Sequence, residues 1–215
     1  MSLSGIPDAG AFLARLVRLD RGAPVRLRPS GPRVALWGHL PWDVLVTREV
    51  DGAVEGDVTV SAAELLATLS VSSPELPPRR DADWRWPLPA PSGAVVEHVA
   101  VSELSRLAVA AAGTLREVTG GGLGRAVGQR AVRDALLDHV ALVVTTADGD
   151  SVEIPQRLVQ AVSRMGFLGP ADVEGPDARV LVSGRWVGLS APYGVAWLQR
   201  VKNLAVMPIS THPKG

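Results

Sequence analysis

The sequence contains no cysteine. Disulfides, thiolate zinc sites, iron–sulfur clusters and cysteine nucleophiles are therefore all excluded. An excess of either charge is also missing, because 22 Lys and Arg are balanced by 22 Asp and Glu. A non-specific nucleic-acid coat carries surplus basic charge, so this balance leaves room only for a local basic face. Long apolar runs are absent as well. The most apolar stretch, around Leu104–Leu115, is broken by Ser105, Arg106, Gly113 and Thr114, and a spanning helix needs roughly 18 consecutive apolar residues. Met1–Phe12 has no basic segment followed by an apolar run, so no secretory leader and no membrane association are expected, and the cytoplasm is the expected compartment. Lysine is scarce against arginine, alanine, valine, glycine and proline, a composition typical of a GC-rich genome.

Rings are few apart from one kind: the chain has 2 Phe and 1 Tyr, but 6 Trp. Tryptophan is costly to leave in water, so core filling is its first reading. With 215 residues, 47% of them hydrophobic, there is enough material for one large domain or two small ones.

Periodicity supplies the elements. Phe12, Leu13, Leu16, Val17 and Leu19 recur at helical spacing after Asp8, a candidate cap. Strands are expected at Val25–Arg28, Val34–Trp37, Trp42–Val50 and Val58–Val60, with Asp51-Gly52 as a hairpin-type turn. Ser61-Ala62-Ala63-Glu64 is a capping box opening a helix that contains Leu65, Leu66 and Leu69. Between Ser72 and Ser92 six prolines break regular structure. Beyond them come a strand at Val95–Val101, a long helix capped by Ser102 and ended by Thr119–Gly122, and a second helix from about Gly124 to Asp138. Strands follow at Val140–Thr146 and Ser151–Ile154. The helix after Pro155 carries Leu158, Val159, Val162 and Met165 on one stripe, and a hairpin turns around Ser183-Gly184. The expected organisation is an N-terminal module over 1–71, a Pro/Trp-rich linker over 72–92, a C-terminal module over 93–200 and a flexible tail over 201–215. The expected fold class is α+β: two related modules of antiparallel sheet with amphipathic helices, joined by the Pro/Trp-rich segment.

One pattern recurs. Val58–Ser61 leads into Leu65 and Leu66, Val99–Ser102 into Leu104 and Leu107, and Val152–Pro155 into Leu158 and Val159. Each is a short strand, a helix-start residue and an amphipathic helix. Three copies fit a duplicated module, although the same succession is common in α/β proteins. This order of helix, strands, capped helix and strands resembles the DNA sliding-clamp module, with modules at about 1–92 and 93–215. The resemblance covers most of the chain as an element pattern and rests on no specific motif. It implies a ring with helices facing DNA and sheets outside, for which Arg15, Arg18, Arg106, Arg116, Arg157 and Arg164 would supply a basic helix face. Two features depart from the pattern: Ser72–Ser92 lacks a strand pair, and the Gly124–Asp138 helix is extra.

No catalytic residue, metal site or cofactor is expected. His39, His98, His139 and His212 lack the spacing of a known metal motif. Glu97 and His98, adjacent on a strand, point to opposite faces. There is no G-x-S-x-G elbow. The glycine-rich run Gly120–Gly128 follows a helix, whereas a phosphate loop follows a strand, so it reads as a helix–helix joint. The most unusual segment is Arg79-Arg80-Asp81-Ala82-Asp83-Trp84-Arg85-Trp86-Pro87. In extended chain Trp84 and Trp86 share a side, opposite Arg85. Trp and Arg anchor interfaces, which makes Arg79, Arg80, Trp84, Arg85 and Trp86 candidate partner-binding residues. Alternatively both indoles fold back and staple the linker to the modules.

Three functions compete. The first is a non-enzymatic cytoplasmic binding or scaffold protein acting on another protein. The second is a clamp-like, DNA-associated protein, a reading that a closed ring or other homo-oligomer would support. The third is a small-molecule enzyme without a recognisable motif.

Overall fold

In the computed structural model, residues 2–3, 5–71, 75–91, 93–120, 126–146, 148–170 and 176–200 are described, with side chains left out at 2–3, 115–120 and 126–130. The expected tail over 201–215 and the first part of the glycine-rich joint, 121–125, lie outside them.

The N-terminal module comprises β1 (Ser2–Leu3), α1 (Ile6–Leu19), β2 (Pro24–Ser30), β3 (Arg33–Leu40), β4 (Val44–Ala53), β5 (Val58–Ser61) and α2 (Ala62–Ser70). The C-terminal module comprises β6 (Ala94–Val99), α3 (Val101–Gly120), α4 (Ala126–Asp138), β7 (Val140–Thr145), β8 (Ser151–Pro155), α5 (Gln156–Arg164), β9 (Ala178–Ser183), β10 (Trp186–Ala191) and β11 (Gly194–Gln199). The fold is α+β, and the two modules share a single antiparallel sheet of order β5-β2-β3-β4-β11-β10-β9-β6, with β1 on β4 and β7–β8 as a separate hairpin. The order is symmetric about the β4–β11 pair. On each side lie two hairpin strands, then a strand that runs directly into a helix: β5 into α2 and β6 into α3. With β8 into α5, these are the three strand–helix units of the sequence pattern.

Local chemistry explains most boundaries and corrects three expectations. Ser61 Oγ accepts from the Glu64 amide at 3.4 Å and caps α2 as the sequence suggests. Asp8 does not cap α1: the N-cap is Gly5, Pro7 occupies the first turn where its missing N–H costs nothing, and Asp8 instead pairs with Arg48 at 2.7 Å. Asp51-Gly52 is not a turn. It continues β4, where Asp51 pairs with Arg33 and Gly52 with Leu3; the long register with β3 outweighs the turn preference of the dipeptide. Finally, α3 begins at Val101, so Ser102 lies inside its first turn.

Both faces of the sheet are covered. On the inner face α1, α2, α3 and α5 bury Val25, Leu27, Leu36, Val46, Val180 and Leu189 with Phe12, Leu16, Leu65, Leu104 and Val162. Phe12 stacks on Phe167 across the modules, centroids 6.3 Å apart. On the outer face a second cluster joins Leu45, Trp84, Trp186 and Trp197, flanked by Trp37, Trp86, Leu88, Leu181 and Val195. Two-sided burial explains why β10 reads as uninterrupted hydrophobic and small residues instead of alternating.

The outer layer is supplied by the Pro/Trp-rich segment. It leaves the β5 edge and must reach β6 at the opposite edge, about 34 Å away at the usual strand spacing. Its only described helical turn is Asp81–Asp83, and extended proline-rich chain rising about 3.1 Å per residue covers that span with little slack. Glycine is required where the sheet meets the cluster: a Cβ on Gly188 would lie 2.6 Å from the Trp197 ring. Gly188→Ala is expected to cost about 1–3 kcal/mol by overpacking, and Trp197→Ala about 3–5 kcal/mol through the cavity it leaves. Urea midpoints at constant m-value would check both; an unchanged midpoint for Trp197→Ala would show that the outer cluster contributes no stability.

Candidate functional site

Two surfaces carry the residues singled out in the sequence. On the outer face, the strap is clipped to β5 by two bonds. The Arg80 amide donates to Thr59 O at 2.7 Å, and Asp81 Oδ1 accepts from the Thr59 amide at 2.8 Å. This bond and the Arg79 side chain hold the Asp81 carboxyl below its ordinary pKa. Arg79 Nε lies 2.8 Å from Asp81, and Arg80 Nε lies 3.0 Å from Asp83.

Trp84 is 8% exposed. Its indole N–H donates to Trp86 O at 2.7 Å, and Arg26 lies over its ring at 5.8 Å. Asp57 fixes Arg26 through a bidentate pair at 2.7 Å. Trp84 therefore has no free ring face for a partner; packing against Trp186 and Trp197 buries it. Trp86 is half-buried and stacks on His39, centroids 4.0 Å apart, while Arg85 is exposed. Of the five strip residues, Arg79, Arg80 and Arg85 thus reach solvent and Trp86 does so in part.

Burial beneath Trp86 pushes the His39 pKa down, opposed by Asp43 at 3.6 Å and by Asp20. The fold therefore favours neutral imidazole. As pH falls below about 6.5, the ordinary value, the unfolded chain takes up the proton first, so stability is present above that value and lost below it. His39 and Asp43 both line a cavity of about 1120 Å³ beside the strap, together with Trp86, Arg157, Arg185 and Trp186.

On the helix side the six predicted arginines divide. Arg157 is built into the module junction: its Nη1 donates to Trp42 O at 3.0 Å, the Trp42 indole donates back to Arg157 O at 3.3 Å, and Asp138 pairs with its guanidinium. This desolvated arginine, 17% exposed, is removed from any basic face. Arg15 turns back to Ala11 O at 3.2 Å and lies against Gly166. Arg106 is exposed elsewhere on α3, and the side chain of Arg116 lies outside the described residues.

Arg18 and Arg164, from different modules, do meet. They rim a pocket of about 320 Å³ between α1, α3, α4 and α5, together with Arg133 of α4. Leu19, Trp42, Ala111, Leu136 and Leu137 form its apolar wall. Arg164 lies over the Trp42 ring at 5.6 Å. Buried Gln156 and Gln160 donate to Leu107 O and Ala108 O at 3.2 and 2.9 Å, tying α5 to α3 at the pocket floor. Arg133 and Trp42 were not singled out from the sequence: α4 reads there only as an extra helix, and Trp42 as part of a strand, so nothing local marked them. Among the described residues no three His, Asp or Glu side chains gather in a metal-binding group, and no described helix is long and apolar enough to cross a membrane.

Comparison with known proteins fits this architecture. The family described as "Domain of unknown function (DUF8185)" matches residues 88–203. The chain belongs to that family. Residues 5–87 match a second, "Domain of unknown function (DUF8010)", so the two matches in this DUF8185 protein meet within the strap. No curated protein matches it. Among solved structures the DNA polymerase sliding clamp of Pseudomonas aeruginosa with ligand is similar at 14% identity and TM-score 0.53, over 94% of this chain and 64% of that one. The Helicobacter pylori beta clamp bound to DNA ligase peptide is similar at 11% identity and TM-score 0.56, over 100% and 69%. The DNA polymerase III beta subunit of Thermotoga maritima gives 11%, 0.52, 94% and 64%. The fold is that of a sliding clamp, and the DUF8185 chain spans about 64% of the length of the first of these clamps. The resemblance in element order is therefore a resemblance of fold.

The state of His39 gives a prediction. The urea midpoint is expected to fall as pH drops from 7.5 through about 6.5, and His39→Gln is expected to flatten that fall. An equally steep fall in His39→Gln would place the titrating group elsewhere.

Proposed function

We propose that this protein is a non-enzymatic cytoplasmic scaffold that uses the clamp fold to hold another protein. The observation that carries the reading is the helix-side pocket whose rim draws arginines from both modules around an apolar wall. The Trp-rich strap lies on the outer face of the sheet and leaves cavities of about 1120 and 670 Å³ beside it, while the helix side presents an arginine-rimmed apolar pocket of about 320 Å³ built from both modules. Arginine and tryptophan are the residue types that anchor protein interfaces. Arg79, Arg80, Arg85 and the open part of Trp86 form a secondary contact strip along the strap.

A second reading, DNA association, is favoured by the clamp fold and by the arginines on the helices. Charge weighs against it. The five helices carry eight arginines against six acids, and one of the eight, Arg157, is consumed by Asp138 and Trp42. Affinity for duplex DNA grows with the number of phosphates that basic side chains neutralise, and the net surplus on the helices is small. Light scattering during size exclusion, with duplex and single-stranded DNA at about 50 and 200 mM salt, tests the choice and reads self-association too. Elution is expected to be unchanged by DNA. A shift with DNA that fades as salt rises would overturn the protein-first reading in favour of a clamp acting on DNA.

A further inference from the structure

We propose that the pocket between α1, α3, α4 and α5 is a docking site for an acidic, apolar peptide segment of a partner protein: an apolar side chain enters against Trp42 and the flanking carboxylates meet Arg18, Arg133 and Arg164. This rests on the scaffold reading and adds the chemistry of the partner. The charge argument is local. The chain is neutral as a whole, yet the pocket lining holds three arginines and no acid. Asp138, on the neighbouring α4, is held by Arg157. Asp134 lies 3.5 Å from Arg133, and both are about half exposed, a geometry that binds weakly and yields to a better carboxylate.

The wall fits the other half of the ligand. Leu19, Leu136 and Leu137 are only partly buried, so the pocket keeps apolar area for an incoming side chain to cover. The indole N–H of Trp42 is already spent on Arg157 O, which leaves the ring to make apolar and cation–π contacts and fixes its orientation. Gln156 and Gln160 spend their amide N–H groups on α3 carbonyls and hold the floor rigid. A volume of about 320 Å³ is at the small end for ligand pockets, suited to one or two side chains of a docked segment. The walls come from both modules, so the site exists only in the assembled sheet.

Three labelled 12-residue peptides test this by fluorescence anisotropy at low salt: one of alternating Glu/Asp with Leu/Phe, its Gln/Asn counterpart, and its Lys counterpart. Only the acidic peptide is expected to bind, and more weakly as salt rises. Arg18→Glu with Arg133→Glu, both at exposed positions, is expected to weaken it at least about tenfold with an unchanged urea midpoint. Equal binding of the neutral peptide, equal binding by the double variant, or no binding of the acidic peptide overturns the proposal. Should the peptides fail while DNA leaves elution unchanged, only the pocket assignment falls. Should DNA shift elution and the double variant abolish that shift, the scaffold reading falls with it.

Discussion

The rest of the molecule depends on one backbone contact, the antiparallel pairing of β4 with β11 through Leu45↔Trp197, Val46↔Ala196 and Thr47↔Val195. Those three rungs merge the sheets of two modules. Because the side chains of a strand alternate, the same rungs aim Val46 and Ala196 into the helix layer and Leu45 and Trp197 into the outer cluster. Both cores are thus registered by one pairing. Phe12 on Phe167 and the reciprocal Trp42–Arg157 bonds follow from it, since each joins a residue of the first module to one of the second.

A sheet shared by two modules has distant edges, and the chain must travel from one to the other. In this protein it crosses the outer face, and that route accounts for the odd aromatic composition. Five of the six tryptophans, all but Trp42, belong to the cluster the strap closes. A flat ring covers much area at the cost of few rotatable bonds, which suits a layer only one extended chain thick. Proline keeps that chain extended, and the Asp81–Thr59 clip satisfies the β5 edge, which would otherwise present unpaired backbone groups.

The arginines show how tertiary context assigns different work to one residue type. Arg157 is a desolvated tie between modules, Arg26 is a platform under Trp84, and Arg18 with Arg164 rims a pocket. Equal helical positions thus lead to unequal availability: Arg157 is tied into the junction, whereas Arg18, Arg106, Arg133 and Arg164 are exposed.

The sequence by itself determined most of the element order, the Ser61 cap, the three strand–helix units and the likeness to the clamp module. Those are local matters: side-chain period, capping chemistry and proline content act within a few residues. Only the tertiary structure decided that Asp51-Gly52 extends a strand, that Asp8 serves Arg48 and not a helix end, that Trp84 is buried while Arg85 is free, and that Arg18, Arg133 and Arg164 converge around Trp42. Each of these outcomes depends on a partner far away in the chain, and no local signal names it. Register and burial are settled only when β4 meets β11 and the strap lies across both, because only then does each side chain acquire its neighbours.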